Sequence, residues 1–506
     1  MEPKKYTWID FCKDHDLSPE WLASPEGHLT IDSSTKRLPE DRLVVGGDVL
    51  IQGHNHAQLP DRMIVGGNLE IVMCHSLTSF PAYLEVKGDI IVVATPIQSI
   101  HEGCHFGGSV SFINAWLRYL PDHFHVHGNL QISGCPIPEL PSGLVVDEEL
   151  DISKTAIRII PDDTRFRSLI AADSKLMCLQ DNMHVVDLDI SGCPILWLPK
   201  GLVVEHRLNI SGTAIPIIPD DSRFRSLIAA DSKLLYLRDA LQVVDLDISG
   251  CPILWLPKGL VVERRLNISR TAIRTIPGDA RFCELIAARS KLEYLPEQMD
   301  VDVLDIEACS IYELPPSIIV FFCLNISHTP IQRIHKVMPS CKVIARYSQL
   351  NELPDPCTLF HLDLTGSAIT TLPTKMLIFD SLVIVATQIG VLPADCVVRG
   401  KLKAYLSALA TLPEHLVLAD SLLIGGTPIK KVPAGVICPS IHCDPEVQVD
   451  AYRFDRAKRF DFHPNGRYVL FENNLAEIEE KSGNAYRCRS VKTREDFYIL
   501  FNAKAS

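Results

Sequence analysis

The chain has 506 residues, of which 47% are hydrophobic and 22% are charged, a balance typical of folded proteins and not of disordered ones. The formal net charge of −13 argues against a nucleic-acid-binding protein, since such proteins are usually basic. There is no run of about 18 uncharged apolar residues, so we expect no membrane span. The 16 cysteines form no CxxC pairs, which favours a reducing compartment over a disulfide framework.

Residues 1–28 are predicted to form a short helical N-terminal cap, because the end of a repeat array must cover its exposed core. Ser18-Pro19-Glu20 is typical of a helix start with proline in the first turn. The first residues, MEPKKYTWID, contain two lysines but no apolar core, so they do not predict a cleavable signal peptide.

Internal repeats dominate the sequence from residue 29 onward. Val185–Glu205 and Val243–Glu263 are identical, and RFRSLIAADSKL begins at both Arg165 and Arg223. Each of these long repeats divides into three shorter ones of the form L-x-I-x-x-(T/S/C)-x-I/L-x-x-L/I-P. About 21 such units of 19 to 20 residues can be followed, and they define a predicted array over residues 29–445.

The short unit resembles the leucine-rich repeat, with Thr, Ser or Cys at the usual asparagine position. We expect these small side chains to form a buried ladder that donates hydrogen bonds to backbone carbonyls. In each unit two inward residues such as Leu208 and Ile210 form a short strand, and Pro219 prevents a regular helix afterwards. The prediction is a leucine-rich-repeat horseshoe with a long parallel β-sheet on its concave face and little helix. A parallel β-helix is the alternative.

The residue between the two inward positions of each strand should point onto the concave face. Aspartates recur there on every third strand, roughly 14 Å apart, with asparagines between them. Arg207 and Arg265 lie beside Asp187 and Asp245 on neighbouring strands, so these charges are predicted to neutralise each other. The predicted binding residues are Asp189, Asn209, Asp247, Asn267, Asp305, Asn325, Asp363, Arg207 and Arg265.

Few residues are candidates for chemistry. His123, His125 and His127 alternate and could share one strand face, which can bind a metal, but they occupy variable positions of the repeat. We therefore expect exposed histidines and predict no metal, no cofactor and no catalytic residue. The chain contains no GxSxG, no HExxH and no GxxxxGK[ST] motif.

Residues 446–506 differ from the array and are predicted to form an aromatic-rich, β-type C-terminal cap or a small separate domain. Strands are expected at Phe460–Phe462, Tyr468–Phe471, Tyr486–Arg489 and Phe497–Phe501. An enzymatic function would have to use the polar groups of this segment, namely His463, Arg467, Glu472, Arg487 and Cys488.

The LP steps in LWLPKGL, LPSGL, LPEHL and LPAGV resemble those of bacterial leucine-rich-repeat effectors of the IpaH and YopM kind. Ligase members of that family use a Cys-x-Asp motif in a large helical domain after the repeats. Here the triplet is Cys12-Lys13-Asp14, before the repeats, so that domain is expected to be absent.

Two readings of function follow. The resemblance implies a non-catalytic protein-binding scaffold, an effector acting on a host protein from the cytoplasm or after secretion without a cleavable signal peptide. Its partner would be a protein, not a nucleic acid, and bound on the concave face. The alternatives are an enzyme or ligase-like activity that depends on the C-terminal segment, and a structural self-assembling protein.

Overall fold

A computed structural model describes residues 5–54, 57–454, 460–465, 467–472, 474–482 and 485–500. The chain divides into two compact units. Unit 1 comprises Met1–Arg238 and Gln242–Pro252, and unit 2 comprises Asp239–Leu241 and Ile253–Ser506. Within the described residues, helix is confined to Trp8–Asp14 and Pro19–Leu22. Neither is long and apolar enough to cross a bilayer.

Both helices begin at a capping side chain. Thr7 and Asp10 cap the first helix reciprocally, with the Thr7 N–H donating to Asp10 Oδ2 at 3.0 Å. The Ser18 hydroxyl accepts the Trp21 N–H at 3.2 Å, so the helix start predicted at Ser18-Pro19 is confirmed. Leu22 is fully buried, and its carbonyl accepts the Gly46 N–H of the first turns at 2.8 Å.

The main sheet of unit 1 consists of short parallel strands, one from each turn of about 20 residues. The register pairs equivalent positions of successive repeats, for example Leu29 with Val49 and Leu208 with Leu227. The strands are Leu29–Ile31, Val49–Gln52, Leu69–Val72, Ile90–Val93, Val110–Ile113, Leu130–Gln131, Glu149–Asp151, Ser168–Ile170, Leu188–Asp189, Arg207–Asn209, Ser226–Ile228 and Gln242–Asp247.

Unit 2 repeats this arrangement with its own parallel strands. They are Val261–Asn267, Glu284–Ile286, Asp300–Asp305, Ile319–Asn325, Lys342–Ile344, His361–Asp363, Ser381–Val383, Lys401–Lys403, Ser421–Leu423 and Ile441–His442. Inward residues such as Leu324 and Ile326 are at most 2% exposed and form the core between the turns. The predicted leucine-rich-repeat solenoid, with about 21 turns and little helix, is confirmed.

Some turns carry a second short strand before the main one, which is a feature of the β-helix alternative. In unit 1 these strands are Arg42–Val45, Arg62–Val65, Tyr83–Val86, Cys104–Phe106, His125–Val126, Val145–Val146, His184–Val185 and Val203–Val204. In unit 2 they are Cys357–Leu359, Lys375–Ile378 and Asp395–Val398, whereas Lys431–Val432 and Gln448–Val449 form a separate parallel pair that follows the main strands Ser421–Leu423 and Ile441–His442. They also pair in parallel, so part of each unit has two strands per turn.

The bend between the two strands of a turn is held by glycine and by a side-chain ladder. A Cβ at Gly66 would lie 2.2 Å from the Gly46 carbonyl oxygen, so these turns stack too closely for any side chain. Just after the bend, Asp48 Oδ1 accepts the Asn68 N–H at 2.8 Å, and Asn68 Oδ1 accepts the Asp89 N–H at 2.8 Å. Each turn is thereby hydrogen-bonded to the next outside the strands.

The predicted Thr/Ser/Cys ladder is present and makes the hydrogen bonds that were expected of it. The hydroxyl of Thr213 donates to the Ile210 carbonyl at 2.7 Å, and Thr155, Thr271 and Thr329 make the equivalent bond at 2.6 to 2.7 Å. Cys193 Sγ lies 3.0 Å from the Ala171 carbonyl oxygen of the preceding turn. Burial raises the pKa of this thiol, which keeps it protonated and able to donate.

The C-terminal segment forms a five-stranded antiparallel sheet in unit 2. Its strands are Phe460–Phe462, Tyr468–Phe471, Asn474–Ser482, Ala485–Ser490 and Asp496–Leu500. The four predicted strands are confirmed, whereas Asn474–Ser482 was missed because NLAEIEEKS lacks β-branched alternation. Leu470, Leu475 and Val491 of this segment pack with Ala419 and Ile437 of the last turns.

Candidate binding surfaces

The seven Asp and Asn residues predicted for the concave face occupy one equivalent position on their strands, here named the face row. Six are half-buried and Asp363 is buried. Each side-chain oxygen accepts the backbone N–H two residues later, so the row ends the strands with a tight local turn. The members are Asp189, Asn209, Asp247, Asn267, Asp305, Asn325 and Asp363.

Neighbouring members of the face row are also bonded to each other. In unit 1 the Asn209 amide donates to Asp189 Oδ2 at 2.8 Å, and in unit 2 the Asn325 amide donates to Asp305 Oδ1 at 3.1 Å. The alternation of Asp and Asn therefore pairs an acceptor with a donor across adjacent strands. The row is part of the fold's own hydrogen bonding as well as a polar surface.

Two aspartates of the row have opposite electrostatic environments. Burial would raise the pKa of Asp363, but hydrogen bonds from Thr365 and the Arg346 guanidinium, whose Nε lies 2.7 Å from Oδ2, lower it overall. For Asp305, burial raises the pKa and the nearby Glu307 carboxylate adds to the increase. Asp363 is thus stabilised as an anion, and Asp305 is not.

The predicted arginines contact their neighbours in a different way from that expected. Asp187 accepts the backbone N–H of Arg207 at 3.2 Å, and its Oδ2 lies 3.9 Å from Nδ1 of the exposed His206 imidazole. The Arg265 Nε donates to Glu284 Oε2 at 2.6 Å, on the next strand. The expected neutralisation of Asp187 by the Arg207 side chain is therefore wrong, because the backbone of Arg207 takes that place.

The candidate nucleophiles are poorly placed for catalysis. Cys12 is 1% exposed and burial raises the pKa of its thiol, so Cys12-Lys13-Asp14 presents no reactive thiolate. In the C-terminal sheet, Cys488 and His463 are both buried, and Arg487 pairs with Asp496 at 2.7 Å.

Arg467 of the same sheet is also engaged, in an ion pair of 2.6 Å with Glu477. Glu472, the remaining polar group named for this segment, is exposed in the turn between two strands. The Arg467 and Arg487 ion pairs thus belong to the antiparallel sheet itself.

Two of the three histidines examined for metal binding come together with an aspartate. His125 Nε2 lies 2.9 Å from Asp147 Oδ1, and His127 Nδ1 lies 3.3 Å from Asp147 Oδ2. The carboxylate comes from the next turn, where Asp147 follows the strand that pairs with His125–Val126. His123 is not part of this group; it occupies a left-handed turn position with φ of 55°.

A row of exposed apolar side chains was not singled out from the sequence. It lies in unit 1 between the Thr/Ser/Cys ladder and the LP step, on five successive turns, and is here named the apolar stripe. These positions lie between buried ones, as Leu196 and Trp197 lie between Ile195 and Leu198. Its members are Ile159, Met177, Leu196, Trp197, Ile217, Leu235 and Tyr236, each 40% to 61% exposed.

No protein-family model matches the chain, and no curated protein matches it. Two solved YopM structures are similar to it. YopM from Yersinia enterocolitica WA-314 is 18% identical with a TM-score of 0.42, and the match covers 78% of this chain and 91% of that one.

The other structure, described as a novel molecular architecture of YopM, a leucine-rich effector protein from Yersinia pestis, is 14% identical with a TM-score of 0.33. That match covers 69% of this chain and 88% of the other. The fold of the present chain is a leucine-rich-repeat solenoid on the ground of its own strand register and side-chain ladder.

Proposed function

We propose that this protein is a non-catalytic scaffold that binds another protein through the apolar stripe. The observation that carries the proposal is the exposure of seven large apolar side chains at two adjacent positions of five successive turns. Proteins that function alone rarely expose contiguous apolar patches larger than a few hundred Å², and larger patches mark interaction sites. Trp and Tyr, both present in the stripe, are the side chains most often dominant in protein interfaces.

The charges beside the stripe indicate what kind of partner fits it. Asp162, Asp181 and Asp220 follow the stripe on three of its turns, and all three are exposed. The whole chain carries a net charge of −13. A protein that presents apolar side chains flanked by Lys or Arg would match both features, and the opposite charges would also accelerate its association.

The face row, with Arg207 and Arg265, is a second candidate surface. In its favour, it presents polar side chains at a constant position on two of every three strands within each unit. Because its oxygens are engaged in local hydrogen bonds, a ligand there would have to share them. We therefore rank it below the stripe.

Site-specific photo-crosslinking distinguishes the surfaces. A photoreactive phenylalanine analogue would replace Trp197 in the stripe, Asn209 in the face row, or Trp116, an exposed tryptophan at another position of the turn. We expect crosslinks from position 197 to a basic protein in lysate, and its binding would then be measured with purified components. Trp197→Ser should weaken that binding by more than about tenfold, as for an interface hot spot, while Trp116→Ser leaves it unchanged.

The proposal fails if Trp197→Ser and Leu196→Ser bind the crosslinked protein as tightly as the unchanged chain does. Crosslinks confined to position 209 would indicate that the partner binds the face row and not the apolar stripe. Loss of binding with both Trp197→Ser and Trp116→Ser would indicate misfolding, which circular dichroism of the variants would detect.

We further propose that the scaffold is an effector that reaches a host cell without a cleavable signal peptide. The support for this is the repeat resemblance set out under Sequence analysis. A translocation reporter fused to the C-terminus should become active inside host cells, and should lose activity when residues 1–28 are deleted. A reporter that stays inside the producing cell would contradict the proposal.

A further inference from the structure

We propose that His125, His127 and Asp147 form a binding site for a divalent transition-metal ion of the zinc class. The three side chains are all exposed, and one ligand atom from each lies within 4.8 Å of the other two. Two imidazoles and one carboxylate are a ligand set that Zn²⁺ uses in sites with an open fourth position. This departs from the sequence-based expectation of no metal, which rested on the histidines alone.

The distances already approach those that a metal requires. With metal–ligand bonds of about 2.0 to 2.1 Å, two ligand atoms of a tetrahedral site lie about 3.3 Å apart. His125 Nε2 is 2.9 Å and His127 Nδ1 is 3.3 Å from the nearer oxygens of Asp147. Each imidazole nitrogen thus already lies at about the required distance from a carboxylate oxygen of Asp147.

The fold explains why these residues meet. His125 and His127 are two positions apart in an extended segment, so both point outward on either side of the buried Val126. The parallel register sets His125 beside Val145 and Val126 beside Val146, which places Asp147 opposite His127. A bound ion would link two adjacent turns of unit 1.

The cluster lies on a groove that other histidines also line. A groove of about 400 Å³ is lined by His125 and His127 together with His101, His105 and His123. Imidazole nitrogen favours Zn²⁺, Cu²⁺ and Ni²⁺ over Mg²⁺ and Ca²⁺, which prefer oxygen ligands. The open coordination position would be available to water or to a donor from a bound protein.

The chain contains a natural control at the same position of a later turn. His184 pairs with Glu205 at 3.0 Å, just as His125 pairs with Asp147, and both pairs link adjacent parallel strands. The position equivalent to His127 is Val186, so this second pair has one imidazole fewer. If the three-ligand set is what binds the ion, Val186→His should create a second site and His127→Val should abolish the first.

The test is titration of the full, untagged chain with ZnCl₂ at pH 7.4, measured by calorimetry in the presence of a reductant. We expect one zinc equivalent that His127→Val weakens by more than about tenfold, since even outer partners of a metal ligand contribute 10- to 100-fold. Val186→His should add one further equivalent. CoCl₂ would then report the coordination, because nitrogen and oxygen ligands lack the intense charge-transfer band of thiolates.

Equal zinc binding by the unchanged chain and by His127→Val would overturn the proposal. It would also fail if the unchanged chain bound no zinc, in which case the cluster is a pair of His–Asp ion pairs only. A cobalt spectrum with thiolate bands would assign the ion to cysteines and equally refute this site. Should His127→Val fold poorly, the presence or absence of the equivalent added by Val186→His still decides the question.

Discussion

Asp363 and Asp305 occupy the same position on two turns of unit 2, yet replacing each with asparagine should change stability in opposite directions. Asparagine keeps an oxygen for the backbone N–H two residues later, so the local turn is retained in both variants. At Asp363 the change removes the charge partner of Arg346, whose Nε lies 2.7 Å from the carboxylate. A charged hydrogen bond contributes about 1.5 to 3 kcal/mol, and the exposure of Arg346 lowers this, so we expect a loss of about 1 to 2 kcal/mol.

The pH dependence of unfolding gives an independent test of whether the Asp363 charge stabilises the fold. The pKa of Asp363 is lowered in the folded protein, so the carboxylate contributes stability above the unfolded-state pKa of 3.8, and this is lost as pH falls through the lower folded pKa. The difference in free energy of unfolding between the unchanged chain and Asp363→Asn should therefore be largest at pH 7 and should disappear in strong acid.

For Asp305 the pKa is raised by burial and by Glu307, so ionisation of this carboxyl costs stability near neutral pH. Asp305→Asn removes that cost and should be neutral or stabilising at pH 7. The gain in stability of Asp305→Asn over the unchanged chain should be largest above the folded-state pKa of Asp305. It should disappear below pH 3.8, where the carboxyl is protonated in both the folded and the unfolded state.

The measurement is urea denaturation followed by circular dichroism at pH 7 and at several values down to strong acid near pH 2, with midpoints and slopes compared among the three proteins. Two variants that shift stability in the same direction at pH 7 would refute the electrostatic assignment. A loss for Asp363→Asn that persists unchanged in strong acid would show that packing, and not charge, is responsible.

Four other predictions test the fold. Thr213→Val should cost about 1 kcal/mol in urea denaturation, because the buried Ile210 carbonyl loses its hydroxyl donor and keeps only the Thr213 N–H at 3.2 Å, whereas an exposed Thr→Val would not. Gly212→Ala should lower the free energy of unfolding by about 1 kcal/mol, because an alanine there must adopt a left-handed φ. Gly192→Ala should lower it further, since the alanine methyl would also lie 2.3 Å from a carboxylate oxygen of Asp173. Equal losses of stability in the two variants would contradict this. A thiol reagent should modify Cys283, the exposed cysteine, well before the buried ones, and Cys283→Ser should remove the fast phase. Deleting 451–506 should cause aggregation if the segment is a cap, and an unchanged melting temperature would make it an independent domain.

The sequence predicted correctly those features that every repeat forms by itself. The alternation of inward residues such as Leu208 and Ile210, and the ladder at Thr213, predicted strands and buried donors that the structure contains. It predicted poorly which side chains of one turn bond to those of the next turn. Arg207 was expected to neutralise Asp187 with its side chain, but adjacency in register does not decide whether the backbone or the side chain makes the contact.

The candidate surfaces show the same limit. Leu196 and Trp197 were visible in LWLPKGL, but only the turn geometry shows that they point away from the core while Ile195 and Leu198 point into it. A pattern scan for large apolar residues between the ladder and the LP step could have found them. No such scan would have joined His125 to Asp147, which belongs to another repeat.

Local periodicity thus determined the class of fold by itself, because each repeat buries the same few side chains against the repeats on either side of it. The tertiary structure decided which groups from different turns come within bonding distance. That choice depends on the register between turns and on side-chain rotamers, both of which are set by packing across turns. Asp363 with Arg346, and His125 with Asp147, are contacts of this kind: each side chain alone is an ordinary polar residue, and its properties arise from a neighbour one turn away.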